Sequence, residues 1–476
     1  ATPLGRKGTL ISPGIGGGGF NSLGKGGMDR NWINLGLAYV GACLKKNGHG
    51  VDLIDLRDCT DWTHVASEME ERNPDVFGIY VNTPNYNHAI KCCSMAKRAG
   101  KIVVAGGPHA TIHPTELIEA GHADYVIKGE GEISFVELLY ELENRGKTER
   151  IIQGKTVENL DDLPFPDREL YRIDKISHPA GNFPFMDNGH ILLTSRGCPF
   201  HCAFCQPLAR KLFGKKIRQR SVENVISELK HILHVYKANY VSFQDDTLTA
   251  RKGWVLELCR RIRDEKLTVQ WSAQSRADTF DEELAKAMAA AGCVCLFFGF
   301  ESGSQKILDV LKKGIKPEQS IHAAELCKKY GVLIFADYMI GVPTETEQDL
   351  LQTVSMVRKI RAEIPSLTYF TPIPGCDLYD YCRDRNLLNI HSYEDYTRNP
   401  YGEKVRGIDY KVLGQYKDMI LSSKPKWYSE KHYAALAFKR WASLARKGMV
   451  GPLLKEILSS FMNYYLIAAI RRHTSL

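Results

Sequence analysis

Short apolar runs alternate along this chain with longer stretches whose apolar positions recur three and four residues apart, the two periodicities of buried strands and amphipathic helices. In the first third the strand-like runs fall at 8–12, 51–56, 76–81, 102–105 and 125–127, and the helical patterns at 35–46, 62–72, 87–98, 115–120 and 134–145. From residue 191 the alternation resumes, with strands expected at 191–194, 240–244, 270–274, 295–300, 333–340 and 367–371 and helices such as 222–234, 254–264 and 282–291 between them. Strands separated by helices predict parallel sheets covered on both faces. The expected fold class is therefore α/β. A doubly wound, Rossmann-like parallel sheet occupies 1–150, a linker 151–188, a second α/β unit 189–390 and a mainly helical region 391–476. Six βα units are too few for a complete eight-fold barrel.

Sheets of this kind bind ligands at the carboxyl ends of their strands. In the first unit those ends carry Pro13–Gly19 with Gly16 and Gly17, Asn82 and Thr83 before Pro84, Gly106 and Gly107 before Pro108 and His109, and Gly129 and Glu130 before Gly131 and Glu132. The glycine run by itself is a weak signal, since a flexible loop has the same composition. Four small or polar strand ends together form a floor that a large flat ligand can approach closely; the competing reading is a scaffold with an empty crevice.

Three cysteines, Cys198, Cys202 and Cys205, lie in the run Arg196-Gly-Cys-Pro-Phe-His-Cys-Ala-Phe-Cys. Iron–sulfur cubanes are usually held by four thiolates, so this spacing is one ligand short and leaves one iron open to a small molecule. A zinc site needs a fourth soft or imidazole donor, and His201, between two of the cysteines, is poorly placed to close a tetrahedron. A disulfide would remove two of the three thiols from any cluster. The chain has 476 residues, 44% apolar and 25% charged, and 13 scattered cysteines. This composition fits a multidomain globular protein of a reducing compartment, and a cytoplasmic location is expected. No apolar run reaches the length of a membrane span, about 20 residues, and the start lacks the apolar core of a signal peptide. Residues 424–476 hold ten Lys or Arg against two Glu and so carry the whole net charge of +8. Their apolar spacing predicts two basic amphipathic helices, read as a cap with a solvated face or as a surface for an acidic or peripheral-membrane partner. No nucleic-acid-binding module accompanies the charge.

Taken together, these motifs resemble the radical S-adenosylmethionine (SAM) enzymes that carry an N-terminal cobalamin-binding domain. The likeness runs over roughly residues 8 to 390 and is carried by Gly106-Gly-Pro-His109, Gly129-Glu-Gly-Glu132, Leu160-Asp-Asp-Leu-Pro-Phe-Pro-Asp-Arg168 and the three cysteines. It continues through Phe243-Gln-Asp-Asp-Thr247, Trp271 with Arg276-Ala-Asp278, Gly299-Phe-Glu-Ser-Gly303, Tyr338-Met-Ile-Gly-Val-Pro343 and Pro372-Ile-Pro-Gly375. The resemblance implies a partial (β/α)6 barrel in the second unit, a [4Fe-4S] cluster on Cys198, Cys202 and Cys205, and SAM on the open iron. It implies cobalamin over Gly16, Gly17, Asn82, Thr83, Gly106, Gly107, Gly129 and Glu130. The SAM contacts expected are Phe204 at the adenine, Gln244 and Asp245 as hydrogen-bonding groups, Arg276 at the carboxylate or balancing Glu301, Glu301 at the amino group or ribose, and Met339 and Gly341 as adenine wall. For several of these an ordinary core or ion-pair role competes. The Asp-x-His-x-x-Gly motif that supplies a histidine to cobalt in other cobalamin proteins is absent. A base-off cofactor without a histidine is expected; His109 and His113 are the local alternatives.

The activity implied is methylation of an unactivated carbon, through a 5′-deoxyadenosyl radical and methylcobalamin, with an electron donor such as flavodoxin or ferredoxin. The substrate is a peptide or protein side chain or a small molecule. The competing readings are a related cyclisation or rearrangement, a metal- or cobalamin-carrying protein without activity, and an RNA-modifying enzyme, which would bring an extra cluster and an RNA-binding domain. Cys376 and Cys382, after Pro374-Gly375 near the expected barrel mouth, are candidates for a reactive thiol.

Overall fold

The computed structural model describes residues 7–13, 32–144, 146, 148–172, 188–205, 213, 216–396 and 402–423. Gly16 and Gly17, and the basic region from Lys424 onward, lie outside the described residues.

The first sheet consists of β1 (Lys7–Ser12), β2 (Gly50–Asp55), β3 (Val76–Tyr80), β4 (Ile102–Gly106), β5 (Tyr125–Lys128) and β6 (Ile151–Gln153). All are parallel, in the spatial order β2-β1-β3-β4-β5-β6. Successive residues of a strand point to opposite faces, so a sheet covered twice needs apolar residues in sequence rather than alternation. Leu10 and Val104 pack with Leu37, Ala38, Phe135 and Leu138 of the helices Leu35–Lys46 and Ser134–Glu143. Their neighbours Ile11 and Val103 pack on the other face with Val65, Met69, Ala89 and Cys92 of Trp62–Arg72 and Tyr86–Arg98. Helix starts are fixed locally: Asn34 accepts a hydrogen bond from the Leu37 N–H at 3.2 Å, and Asp61 from the His64 N–H at 2.9 Å.

β6 starts at the residue where the linker was expected. Ile151-Ile152 is too short a pair to carry a periodic signal, and only its pairing with Val126 and Ile127 makes it an edge strand. The segment that follows is held by charge. Asp161 accepts from the Ser221 N–H at 3.0 Å, Asp167 pairs with Lys45 at 2.6 Å, and buried Arg168 donates to the Ile191 carbonyl and to buried Glu228 at 2.9 and 2.7 Å.

The second unit contains β7 (Gly189–Leu192), β8 (Ser195–Arg196), β9 (Arg218–Gln219), β10 (Tyr240–Phe243), β11 (Gln270–Ser275), β12 (Cys293–Glu301), β13 (Leu333–Ile340) and β14 (Ile364–Tyr369). Six of them form a second parallel sheet, in the order β14-β13-β12-β11-β10-β7, so each new strand adds beside the last as in an open barrel. β8 and β9 form a separate antiparallel ribbon, with Arg196 opposite Arg218. Trp271, fully buried, anchors the core: its indole N–H donates to the Ala291 carbonyl at 2.8 Å and its ring meets Phe243 edge-on. Cys259, Cys293 and Cys327 lie in the same apolar cluster as small packing residues. Of the C-terminal region, one long helix, Tyr410–Leu421, is described; it packs on β14 and on the helix Glu347–Ile360, and Tyr416 donates to Glu347 at 3.0 Å.

Candidate active site

A cavity of about 630 Å³ opens over the carboxyl ends of the first sheet. Its floor is Leu10, Gly78 to Tyr80, Val104 to Gly107, Ile127 and Gly129 to Glu132, and Leu193, Arg196, Phe213 and Gln244 of the second unit wall it from the other side. Two of the floor glycines are required by the packing of the floor itself. At Gly107, with φ of +100°, a Cβ would stand 2.8 Å from the Tyr80 ring, and at Gly78 one would stand 2.8 Å from both Leu10 and Phe135. This wide, mostly apolar floor, bare of side chains at its glycines, fits a flat macrocycle. Gly106, Gly107, Gly129 and Glu130 line it as expected, whereas Asn82 and Thr83 do not. Asn82 caps the following turn, and the Thr83 hydroxyl lies 3.2 Å from His109 Nδ1. The cavity lining includes no histidine among the described residues. His109 is fully buried behind it among Tyr86, His113 and Tyr393, and burial pushes its pKa down to about 4.

Glu130 is placed at the cavity, but its carboxylate is engaged elsewhere. It accepts hydrogen bonds from the Val157 N–H at 2.9 Å and from Arg218, and lies 3.3 Å from Arg196. Arg196 also donates to Glu132 and rests over the rings of Tyr39 and Phe213. All four charged groups are buried. Two arginines of the β8–β9 ribbon are thus bolted to two carboxylates at the end of β5. Buried ions demand such pairing because each has lost its hydration. Glu132, Arg196 and Arg218 were not singled out from the sequence as site residues. Their one signal was position: Arg196 directly precedes Gly197-Cys198, and Glu132 ends the second acidic repeat of Gly129-Glu-Gly-Glu132.

The ribbon carries the cysteine loop. That loop is stapled to the second sheet's upper rim, with the Ala203 N–H donating to the Leu311 carbonyl at 2.8 Å and the Leu378 N–H to the Ala203 carbonyl at 3.0 Å. No disulfide joins any of the thirteen cysteines. Cys198 and Cys202 are partly exposed and Cys205 exposed, in contrast to the other ten, which are all buried. Among the described residues no three Cys, His, Asp or Glu side chains converge on the geometry of a single ion, and His201 is exposed, 3.9 Å from Asp377. Three accessible thiols on one loop suit a cluster, whose ligand sulfurs stand farther apart than those around one ion.

Around the loop the strand ends bring several expected residues together. Phe204 and Met339 share one apolar cluster with Ile307, Leu311 and Val342. Gly341 has φ of +79°, and its N–H donates to Glu345 at 2.6 Å. Glu301 also has a left-handed backbone, φ of +63°, at an irregularity in the β12–β13 pairing. Its carboxylate is paired with buried Lys313 at 3.0 Å, and a Cβ on Gly299 would stand 2.4 Å from that carboxylate and 2.9 Å from the Lys313 ammonium. The glycine therefore makes room for the pair. Arg276 does not balance Glu301: it pairs side-on with Asp278 at 2.9 and 3.0 Å. Sequence reasoning missed Lys313, whose Lys-Lys-Gly context reads as a solvated turn. Gln244 reaches the cavity and donates to Ser242 at 2.8 Å. Asp245 is fully buried and accepts from Thr194 N and Oγ1 and from Ser195 Oγ. Burial pushes its carboxyl pKa up and these donors pull it back; with its oxygens so engaged, it braces the strand before the cysteine loop. Cys376 and Cys382 are buried in the apolar cluster around Phe204, and burial pushes the Cys382 thiol up to about 11. They are packing residues rather than reactive thiols.

Comparison with known proteins agrees with this geometry. The Radical SAM superfamily model matches residues 192–357 and the B12 binding domain model residues 28–139. The uncharacterized methyltransferase PH0819 of Pyrococcus horikoshii is 35% identical over 381 residues, covering 76% of this chain and 81% of that one. The anaerobic magnesium-protoporphyrin IX monomethyl ester cyclase of Rubrivivax gelatinosus is 24% identical over 457 residues, or 90% and 80% of the two chains. The radical SAM methyltransferase TsrM of Kitasatospora setae, solved with cobalamin and a [4Fe-4S] cluster bound, shares the fold with a TM-score of 0.64 at 20% identity, over 80% of this chain and 78% of that one. The chain belongs to the cobalamin-dependent radical SAM family. It is an enzyme of the radical SAM methyltransferase class, and its cofactors are a [4Fe-4S] cluster, SAM and cobalamin. No helix of the described residues is long and apolar enough to cross a membrane.

Proposed function

We propose that this enzyme is a C-methyltransferase acting on an unactivated carbon. The observation that carries the reading is the shared cavity: the glycine floor of the first sheet and the base of the cysteine loop bound one space. The cluster and SAM supply a 5′-deoxyadenosyl radical when bound, and cobalamin supplies the methyl group, chemistry that acid–base groups cannot provide. The protein's own residues hold, orient and seclude these groups. In this reading Cys198, Cys202 and Cys205 ligate the cluster, and Gly106, Gly107 and Gly129 let the corrin lie against the backbone. Phe204 and Met339 flank the adenine, and the Glu301–Lys313 pair offers one acceptor and one donor to the polar end of SAM. Asp245, Glu130 and Arg196 support the site through the backbone and the ribbon rather than by contact with SAM.

A peptide or protein side chain is the favoured substrate class, because the sequence places ten basic residues against two acidic ones in 424–476, suited to an acidic macromolecule. A flavodoxin- or ferredoxin-like donor would supply the electron. The test is anaerobic incubation of the reconstituted enzyme with extract from cells lacking it and SAM bearing a deuterated methyl group. A peptide or protein gaining one deuterated methyl group on carbon, with 5′-deoxyadenosine, supports the proposal. A small-molecule product would replace the substrate class. A product of unchanged or lower mass would overturn methylation in favour of ring-forming chemistry, as the name of the Rubrivivax relative denotes for that protein.

A further inference from the structure

The Arg276 guanidinium is held from several sides in a way that a simple SAM contact does not require. Its Nε and one terminal nitrogen grip Asp278 side-on, the latter also donating to the Lys313 carbonyl at 2.6 Å. Its plane covers the Phe200 ring, with the guanidinium carbon 3.7 Å from the centroid. The remaining terminal nitrogen, on the side away from Asp278, donates to Cys202 Sγ at 3.6 Å. The side chain is 6% exposed. Both Phe200 and Cys202 belong to the cysteine loop, so one arginine fastens that loop to the end of β11.

We infer that Arg276 is a positioning residue of the cluster, whose N–H···S bond to Cys202 raises the cluster's reduction potential. The inference rests on the assignment of Cys202 as a cluster ligand. Reduction adds one electron, so the reduced cluster is the more negative state and gains more from a donor at its sulfur. The Asp278 partner does not cancel this. It sits at the far edge of the guanidinium, and the pair is a dipole with its positive end toward the sulfur. Burial keeps the local dielectric low and strengthens the effect. The Phe200 stack and the two Asp278 bonds fix the donor's direction, which a flexible lysine in the same place would not do.

The test is an anaerobic redox titration of the full-length protein, followed by the cluster's electron paramagnetic resonance, without SAM so that altered SAM binding cannot move the result. Arg276→Gln should keep the cluster's absorbance and have a more negative potential. At a reductant poise that half-reduces the wild type, the ratio of reduced to oxidised cluster should fall severalfold; a tenfold fall corresponds to 59 mV for one electron. If Arg276→Gln takes up no cluster, Arg276→Lys is read instead, and its potential should also lie below the wild type. A filled cluster at the wild-type potential in the variant read overturns the inference, and reduced SAM affinity with that unchanged potential would return Arg276 to a SAM-contact role. A wild-type protein that assembles no cluster would overturn the cluster assignment itself, and the inference with it.

Discussion

The two six-stranded sheets are built alike and finished differently. Both are parallel, both bury their strands, and both present their carboxyl ends to the site. The first ends in absences, where Gly106, Gly107, Gly129 and Gly131 leave a floor of backbone. The second ends in held charge, where Arg276 is tied to Asp278 and Glu301 to Lys313. A large ligand that lies flat needs room, whereas a small charged ligand and an electron carrier need fixed dipoles. The bolt of Arg196 and Arg218 to Glu130 and Glu132 joins these two kinds of strand end and fixes their spacing.

The division of labour can be broken from either side. Cys202→Ala should abolish the cluster spectrum and all 5′-deoxyadenosine formation, while cobalamin still binds. An intact cubane spectrum in that variant would refute the ligand assignment. Gly107→Ala should do the reverse, since its Cβ would sit 2.8 Å from Tyr80 at a backbone angle that side chains rarely adopt. Cobalamin affinity, measured by equilibrium dialysis, should fall by about tenfold or more, which is about 1.4 kcal/mol, with iron content unchanged. Equal loss of both cofactors would mean that the sheets are not separable in function.

The joint between the sheets should matter more than any surface pair. Glu130→Gln leaves Arg218 and Arg196 short of a buried counter-charge, a change that costs about 3–5 kcal/mol when one partner of a buried ion pair is removed. A fall of several degrees in Tm is expected, with weaker cobalamin binding. Lys155→Ala, which breaks the exposed pair with Glu137, should cost about 0–1 kcal/mol. Equal shifts for the two variants would show that the bolt carries no special strain when cut. A pH-dependent effect is expected at Glu345, whose buried carboxyl is pushed up to about 8 chiefly by desolvation. The native state then keeps a proton that the unfolded chain releases near pH 4.5. This contribution favours folding below that pH and is lost as pH rises toward 8. Denaturant melts from pH 5 to 9 should show Glu345→Gln losing less stability than the wild type over that range; parallel curves would place the titration elsewhere.

The sheets themselves were readable because they are buried on both faces. Leu333–Ile340 and Leu35–Lys46 emerge with the expected bounds, because their apolar positions carry a clear pattern. The Ile151–Gln153 edge strand was not readable: three residues carry no period, and its partner lies a helix and a loop earlier in the chain. Among site residues, the cysteines announced themselves by spacing and the floor glycines by position at strand ends. Asp245 was legible as a strand-end carboxylate, but its turn toward Thr194 and Ser195 was not. Nor was the choice of Lys313 rather than Arg276 as the partner of Glu301, because a sequence lists charges without saying which face one another.

By itself, then, the sequence determined what local chemistry dictates: two parallel sheets from the period of their apolar residues, a three-thiolate loop from its spacing, and small residues where a ligand lies close. The tertiary structure alone decided how the charges are matched. Arg196 meets Glu132 across 64 residues of chain, and Arg218 meets Glu130 across 88. Such pairs depend on the distance between folded elements and on the loss of water at their contact, and neither quantity exists until the two sheets have packed together.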